Sequence, residues 1–329
     1  MIYLLFCFIS SKINLGLNDE RQFLNWMRTH ATFYVGEEYQ LRFGIFLTNL
    51  RYIQNFNRRK GATFRLGINK FACYTPLEYK SLLNSETAPT PRRIPSKNIP
   101  KRQTDPNPPD SFDWRDKNIV NDIRDQGQCG SGYAFATICS VETGYAFSTG
   151  PLLSLSEQNI IDCDIFTHGC NGGYPQDVYI YIHQVQGDKI SLAADYPYKG
   201  AQETCHFDKT KAAAKFTYYA TVIEKDENDL KERVAWHGPA AACITSSSAL
   251  FQLYSGGIIN EDACKDTSKL DHVVAVIGYG ADNDGAEFWI ARNSWGAGWG
   301  EKGYARIARN KGNVCGIASR AIVAITYDI

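Results

Sequence analysis

The stretch DQGQCGSGYAFA, residues 125–136, has the make-up of a segment that presents a reactive side chain at the start of a helix. A polar loop carrying Gln126 runs into small and apolar residues, and the positive end of a helix dipole is where a nucleophile ionises most easily. A nucleophile there needs an imidazole to take its proton, a partner to orient that imidazole, and donors for the oxyanion. His272 opens the run HVVAVIGYG, 140 residues after Gly132, and Asn293 follows 21 residues later in RNSWGAGWG. Gln126, six residues ahead of Gly132, supplies an amide donor. The reacting atom itself is missing, because position 132 is glycine.

The elements that must position these groups follow from periodicity and turn residues. Residues 131–147 read as a buried helix, with Ala134, Phe135, Ala136 and Ile138 crowding its first turns. SLSEQNIIDC, residues 154–163, reads as a second helix with Ser156 as its cap. After about residue 215 the character changes to short β-like runs bounded by glycine, among them EFWIARNSWG and GYARIAR. Helices first and strands later indicate an α+β protein with two lobes.

Ahead of that unit, residues 18–57 read as helical. NDERQFLNWMRTH offers Asn18 and Asp19 as caps and sets Phe23, Trp26 and Met27 on one face. Glu38, Arg42, Phe46, Asn49, Ile53 and Asn57 then recur at spacings of four, four, three, four and four, one stripe along a helix. Residues 86–110 hold seven prolines and several basic residues without periodicity, which makes an extended linker open to proteolysis. The chain therefore divides into a leader (1–16), a helical segment (17–106) and a larger unit (107–329).

Thirty-five basic and 35 acidic side chains cancel, so no global field draws in nucleic acid or anionic lipid, and a small or peptide-like partner fits better. Six of the ten cysteines (Cys129, Cys163, Cys170, Cys205, Cys264 and Cys315) lie among turn residues. With no C-x-x-C pair and no Cys/His cluster at zinc spacing, they point to disulfides in an oxidising compartment rather than to a metal. Composition does not choose their connectivity. Cys139 and Cys243 sit in apolar surroundings and read as buried free thiols. IYLLFCFIS, residues 2–10, is an apolar run of signal-peptide length, without a basic start and too short to span a bilayer. A buried N-terminal strand is its alternative reading. No later stretch is apolar enough for a membrane helix, and no cofactor is implied.

These residues together resemble the papain family of cysteine peptidases, in its cathepsin L-like branch, over nearly everything from residue 18 onward. The helical stripe is similar to the family's ERFNIN pro-segment signature at each position. DSFDWRD resembles the start of the mature enzyme, GCNGG (169–173) its substrate-binding loop, and YSGGI and NSWGAGWGEKGY its second lobe. The resemblance implies a helical lobe and a β-barrel-like lobe with a peptide cleft between them, preceded by an inhibitory pro-segment. It implies Gln126 as the oxyanion-hole side chain, His272 as general base, Asn293 as its orienting partner and Trp295 as the cover over both. Gly172, Gly173 and Tyr174 would line an extended substrate. Arg320 would stand at the floor of the main specificity pocket, facing the side chain two residues before the scissile bond, unless it turns outward to solvent. The implied disulfides are Cys129–Cys170, Cys163–Cys205 and Cys264–Cys315. The implied partners are the chain's own pro-segment, a peptide or protein in the cleft, and cystatin-like inhibitors. The implied location is the secretory pathway, outside the cell or in a lysosome-like vesicle.

Two adjacent departures break the resemblance. The family's Cys-Gly-Ser-Cys-Trp reads here Cys129-Gly130-Ser131-Gly132-Tyr133, so Gly132 stands where the nucleophilic cysteine belongs and Tyr133 replaces tryptophan. In the pro-segment, GINKFAC keeps Gly67, Asn69 and Phe71 of a Gly-x-Asn-x-Phe-x-Asp motif but ends in Cys73. The resemblance links the missing carboxylate to acid-triggered release. One base change turns a Cys codon into Gly, whereas Trp to Tyr needs two, so the pair of changes favours a natural loss. The leading expectation is a catalytically dead, papain-like binding protein. A working endopeptidase with Cys at 132 in the natural gene is the alternative, and a structural shell is a third. On the sequence alone, Gly132→Cys with the pro-segment removed is expected to gain peptidase activity, and adding Tyr133→Trp to improve it.

Overall fold

The computed structural model describes residues 17–83, 107–215, 217–264 and 267–326. The leader 1–16, most of the linker and the boundary at 106/107 lie outside the described residues. The N-terminal segment is a small globule of two crossing helices, α1 (Leu17–Thr29) and α2 (Gly36–Asn57), then strand β1 (Phe64–Leu66) and the short helix α3 (Pro76–Lys80). Helix α1 starts at Leu17, so Asn18 and Asp19 sit inside its first turn rather than before it. Acidic side chains suit that end of the helix dipole. Phe23, Trp26 and Met27 are buried against Phe43, Phe46, Leu47 and Leu50 of α2.

The α2 stripe is explained by what it faces. Phe46 and Ile53 are buried, while the polar members satisfy carbonyls of the chain returning alongside. Arg42 donates to Cys73 O (3.1 Å), Asn49 Nδ2 to Ala72 O (2.9 Å) and Tyr74 O (3.1 Å), and Asn57 Nδ2 to Leu66 O (2.8 Å). A buried backbone acceptor without a partner costs about 1–3 kcal/mol, so these side chains pin the returning chain, whose residues 72–74 belong to no strand.

The larger unit has two cores separated by one sheet. Seven strands of that sheet follow β2 (Phe112–Asp113): β3 (Tyr218–Thr221), β4 (Ala240–Ile244), β5 (Tyr254–Ile259), β6 (His272–Ala281), β7 (Glu287–Arg292), β8 (Tyr304–Ala308) and β9 (Ala321–Ile325). They pair in the order β1-β5-β8-β7-β6-β4-β9-β3, with β2 alongside β6. Among the described strands of this sheet only β5 and β8 run parallel. After His272, strand β6 is apolar from Val273 to Ile277 because both faces are covered there. Val273, Ala275 and Ile277 enter the helical core, and Val274 and Val276 enter the other. Helix α4 (Gly132–Thr149) packs on this sheet and is apolar on nearly every side, with 14 buried residues. The helical lobe is completed by α5 (Glu157–Cys163) and α6 (Pro175–Gln184), the former capped by Ser156, whose Oγ accepts from Asn159 N at 2.9 Å. Helix α7 (Glu227–Trp236) lies on the second core.

The three expected disulfides all form. Cys73, Cys139 and Cys243 are buried free thiols. Among the described residues no helix is long and apolar enough to cross a membrane.

Candidate active site

The cleft lies where the start of α4 meets the start of β6. Gln126 is fixed from three sides in the loop before α4. Its N–H donates to Ser294 O (2.8 Å), its Oε1 accepts from Ser294 Oγ (2.6 Å), and Tyr198 OH donates to its carbonyl (2.7 Å). This leaves Nε2 directed at Cys129 O (2.8 Å) and at Leu82 O (3.1 Å) of the N-terminal segment. Gly130 makes the tight turn at the Cys129–Cys170 bridge possible, since a Cβ there would lie 2.6 Å from Cys170 O.

His272 Nε2 is 2.8 Å from Asn293 Oδ1. That oxygen also accepts from Ser294 N at 2.8 Å, so the neutral imidazole carries its proton on Nε2 and turns the Nδ1 lone pair toward α4. The ring stacks on Trp295 at 4.6 Å between centroids. Burial pushes the His272 pKa down to about 4, against weaker opposing effects of Asn293 and Asp271. The imidazole is therefore neutral across the physiological range.

Gly132 opens α4 directly beneath this ring. A Cβ on Gly132 would stand 2.9 Å from His272 Nδ1, 2.7 Å from Cε1 and 3.3 Å from Gln126 Oε1. The substituent direction of position 132 thus points straight at the base, and the ring has settled over the space. The neighbouring reactive atoms are engaged elsewhere. Cys129 is in its disulfide, and Ser131 Oγ pairs with Tyr198 OH at 3.1 Å. Tyr133 is fully buried and donates to Gly169 O at 3.0 Å, with Thr167 Oγ1 at 3.3 Å. Burial raises its phenol pKa far above the ordinary range.

The structure brings Gln126, Gly132, His272, Asn293 and Trp295 together. Gly172, Gly173 and Tyr174 lie beside them on the loop that Tyr133 braces, and a Cβ on Gly173 would stand 2.9 Å from the Tyr133 ring. Tyr174 is mostly buried and heads α6. Arg320 is half-buried just before β9, and its carbonyl accepts from Cys243 N at 2.9 Å. The Cys243 thiol feels both Arg320 and Asp177, so that guanidinium shares its surroundings with a carboxylate.

Several functional neighbours carry little or no sequence signal. Ser294, wedged between Asn293 and Trp295, orients the Gln126 amide, and its position between two nominated residues was the available clue. Tyr198 had no local signal at all. Phe71 and Tyr79 cross over Trp295 at 5.2 and 5.7 Å, and Tyr79 OH donates to Ser246 O (2.8 Å). Lys70 pairs with Asp125 at 2.6 Å, next to Gln126. Leu82 and Leu83 then run into the cleft, with Leu83 O near Gly130. Where the pro-segment motif ends in Cys73, Arg42 finds another carboxylate and pairs with Glu78 at 2.6 Å. Burial pushes the Glu78 pKa up, but hydrogen bonds from Thr75 and Arg42 outweigh this and hold it below the usual range.

Asp164, at the end of α5, supports the same loop. Its Oδ1 accepts from Phe166 N (2.8 Å), while Oδ2 is buried with no hydrogen-bond partner among the described residues. Burial raises its pKa to about 7, with Asp177 adding to the rise. The folded state then binds a proton that the unfolded state has released, so the associated stability is complete below pH 4 and is lost as pH climbs through 7. A tenfold change in acidity is worth about 1.4 kcal/mol, so the stability at stake is on the order of a few kcal/mol. His272, with its lowered pKa, works in the opposite direction between about pH 6.5 and 4. Asp164→Asn is expected to raise the melting temperature at pH 8 and leave it nearly unchanged at pH 4. Thermal unfolding of both proteins at the two pH values checks this, and an equal shift at both would exclude the ionisation.

The two-lobed architecture, with a helical segment laid through the cleft, defines the class of a cysteine-peptidase precursor. A papain family cysteine protease model matches residues 108–325, and a cathepsin propeptide inhibitor domain matches 23–79. The chain belongs to the papain family of cysteine proteases. It is 40% identical over 281 residues to a Caenorhabditis elegans protein described as cathepsin L-like, covering 84% of this chain and 82% of that one. Ananain of Ananas comosus is 38% identical over 303 residues, covering 91% and 85%. Among solved structures, digestive procathepsin L2 from Tenebrio molitor larval midgut superposes with a TM-score of 0.86 at 34% identity, covering 93% and 99%.

Proposed function

We propose that this chain is a cathepsin L-like member of the family that has lost its nucleophile at Gly132 and keeps a peptide-binding cleft. The observation that carries the reading is the direction of a Cβ on Gly132, which points into the lone pair of His272 while Gln126 and Asn293 keep their hydrogen bonds. Gln126 serves as oxyanion donor, His272 as base and Asn293 as its orienter. Gly172, Gly173 and Tyr174 contact an extended ligand, and the N-terminal segment through residue 106 is the resident partner of the cleft. The apolar run at residues 2–10, read as part of a secretory leader, and the three disulfides support a place outside the cytosol, in the extracellular space or an acidic vesicle.

Without a thiol at 132 the chain has no means of cutting its own linker. Pure full-length protein, held at acidic pH with a thiol-directed epoxide probe, is expected to keep its length and carry no label in the 125–136 peptide. Shortening without an added protease, or a labelled cysteine at 132, sinks the reading and restores the working endopeptidase. Arg320 in the specificity pocket favours an acidic ligand side chain through charge-assisted pairing. A peptide-library binding screen that selects only bulky apolar groups would remove Arg320 from the site.

A further inference from the structure

In a cysteine peptidase the start of this helix and the histidine above it share a thiolate. Here the positive features remain and the anion is gone. The N–H groups of Gly132 and Tyr133 meet no acceptor among the described residues, Ser131 does not cap the helix, and its first turn holds no acidic side chain. The positive end of an 18-residue helix is therefore left without a counter-charge. Independently, His272 is only 1% exposed and its Nδ1 has no hydrogen-bond partner among the described residues, yet that atom faces the helix end. An acceptor oxygen already fits the third donor, since Leu82 O lies 3.1 Å from Gln126 Nε2.

We propose that the cleft is a receptor for the free carboxylate end of a peptide, held by the helix start at Gly132, by Gln126 Nε2 and by the His272 ring. This inference rests on the nucleophile-less reading above. The ligand supplies the negative charge that the chain lacks. On binding, the ring withdraws from its position over Gly132, Nδ1 takes one proton from solution, Nε2–H stays on Asn293 Oδ1, and the imidazolium donates from Nδ1 to a carboxylate oxygen. One proton is taken up for each peptide bound and no bond is made or broken. The groups around the ring do not compete. Gln126, Asn293 and Trp295 are neutral, Tyr79 is a phenol engaged with Ser246, and Asp271, adjacent on the same segment, favours the protonated ring. A peptide amide presents one neutral acceptor and cannot hold that proton in place. Binding is therefore selective for the acid and stronger at low pH.

The test is calorimetric titration of the full-length chain, unsubstituted and with Phe71→Ala to loosen the N-terminal segment from Trp295. The probes are two N-acetylated tetrapeptides of leucine and glycine, identical except that one ends in a carboxylate and the other in a carboxamide. At pH 5 the acid is expected to bind about tenfold or more tightly than the amide, as a charge-assisted pair requires. Two buffers of different ionisation heat should report uptake approaching one proton, and the preference should shrink by pH 8. His272→Gln should abolish the proton uptake, and Gln126→Leu, as a second variant, should weaken the acid more than the amide. Equal binding of acid and amide overturns this inference and leaves the peptide-cleft reading intact. Absence of binding by either peptide, in a Phe71→Ala chain whose residues 64–83 exchange amide hydrogens faster, overturns both. Cleavage of the amide peptide overturns the nucleophile-less reading itself.

Discussion

Peptide turnover by this protein, with the N-terminal segment displaced, is expected to lie on the order of 10⁶-fold below that of a working relative, as when a hydrolase loses its nucleophile. The acyl-enzyme route requires an atom that attacks the carbonyl and is later released. At position 132 there is only a Cα, and the hydroxyl of Ser131 is turned to Tyr198. On the proposed reading, what survives is Gln126 as oxyanion donor and His272, held neutral by burial, as base. Such groups sustain weak general-base hydrolysis by water and little else. The measurement is release of a fluorogenic dipeptide amide at pH 5–6 under reducing conditions. A rate within a hundredfold of a working relative, abolished by a thiol alkylator, would show a nucleophile that this chain does not contain.

Replacing Gly132 by Cys is the reverse experiment and has the second largest expected effect. The new thiol would sit at the helix start beside Nδ1, where dipole and imidazole both lower its pKa. The same ionisation would lift His272 from about 4, because a thiolate supplies the charge that burial otherwise disfavours. The structure also sets the obstacle. With Cε1 2.7 Å and Nδ1 2.9 Å from the new Cβ, the ring must withdraw by several tenths of an ångström, against its bond to Asn293 and its stack on Trp295. Activity is expected to rise about 10²-fold or more over the unsubstituted chain and to vanish on adding His272→Ala, in keeping with the usual contribution of a general base. Tyr133→Trp is not expected to help as the sequence suggested. Tyr133 already fills its site against Thr167 and the Gly173 backbone, so the larger ring would overpack it at about 1–3 kcal/mol and lose the bond to Gly169. If Gly132→Cys folds, carries an alkylatable thiol and cleaves nothing across a broad library, Gln126, His272 and Asn293 are not a near-competent set.

What the sequence showed, and what it hid, divides by the range of the interaction. The α2 stripe, the Ser156 cap and the β character of HVVAVIGYG are local patterns, written in spacing and residue type, and each was legible; that both faces of β6 are covered was not. The partners of that stripe were not. The carbonyls of Ala72, Tyr74 and Leu66 carry no sequence signal, and only the fold brings them alongside Asn49 and Asn57. The site divides in the same way. Gln126, His272 and Asn293 stand in motifs, whereas Tyr198 and the Leu82 carbonyl meet Gln126 only through tertiary packing. The position of the His272 ring was beyond reach for a further reason. A glycine in a motif shows that an atom is absent, but how the neighbours relax over the space depends on all of them at once.

Strand β1 belongs to the N-terminal segment, yet it pairs antiparallel with β5, Phe64 opposite Gly257 and Arg65 opposite Gly256. The join is continued by Gly67 N to Leu253 O and Ile258 N to Thr63 O, both 2.8 Å. The segment thus closes the rim of a nine-stranded sheet. Stripping it away would leave β5 with a row of unpaired backbone groups and two glycines with no side chains to shield them, a ready template for another chain. On the proposed reading, in which the chain does not remove this segment by itself, the strand acts as a lasting guard against edge-to-edge association, and its excision would trade solubility for an open cleft.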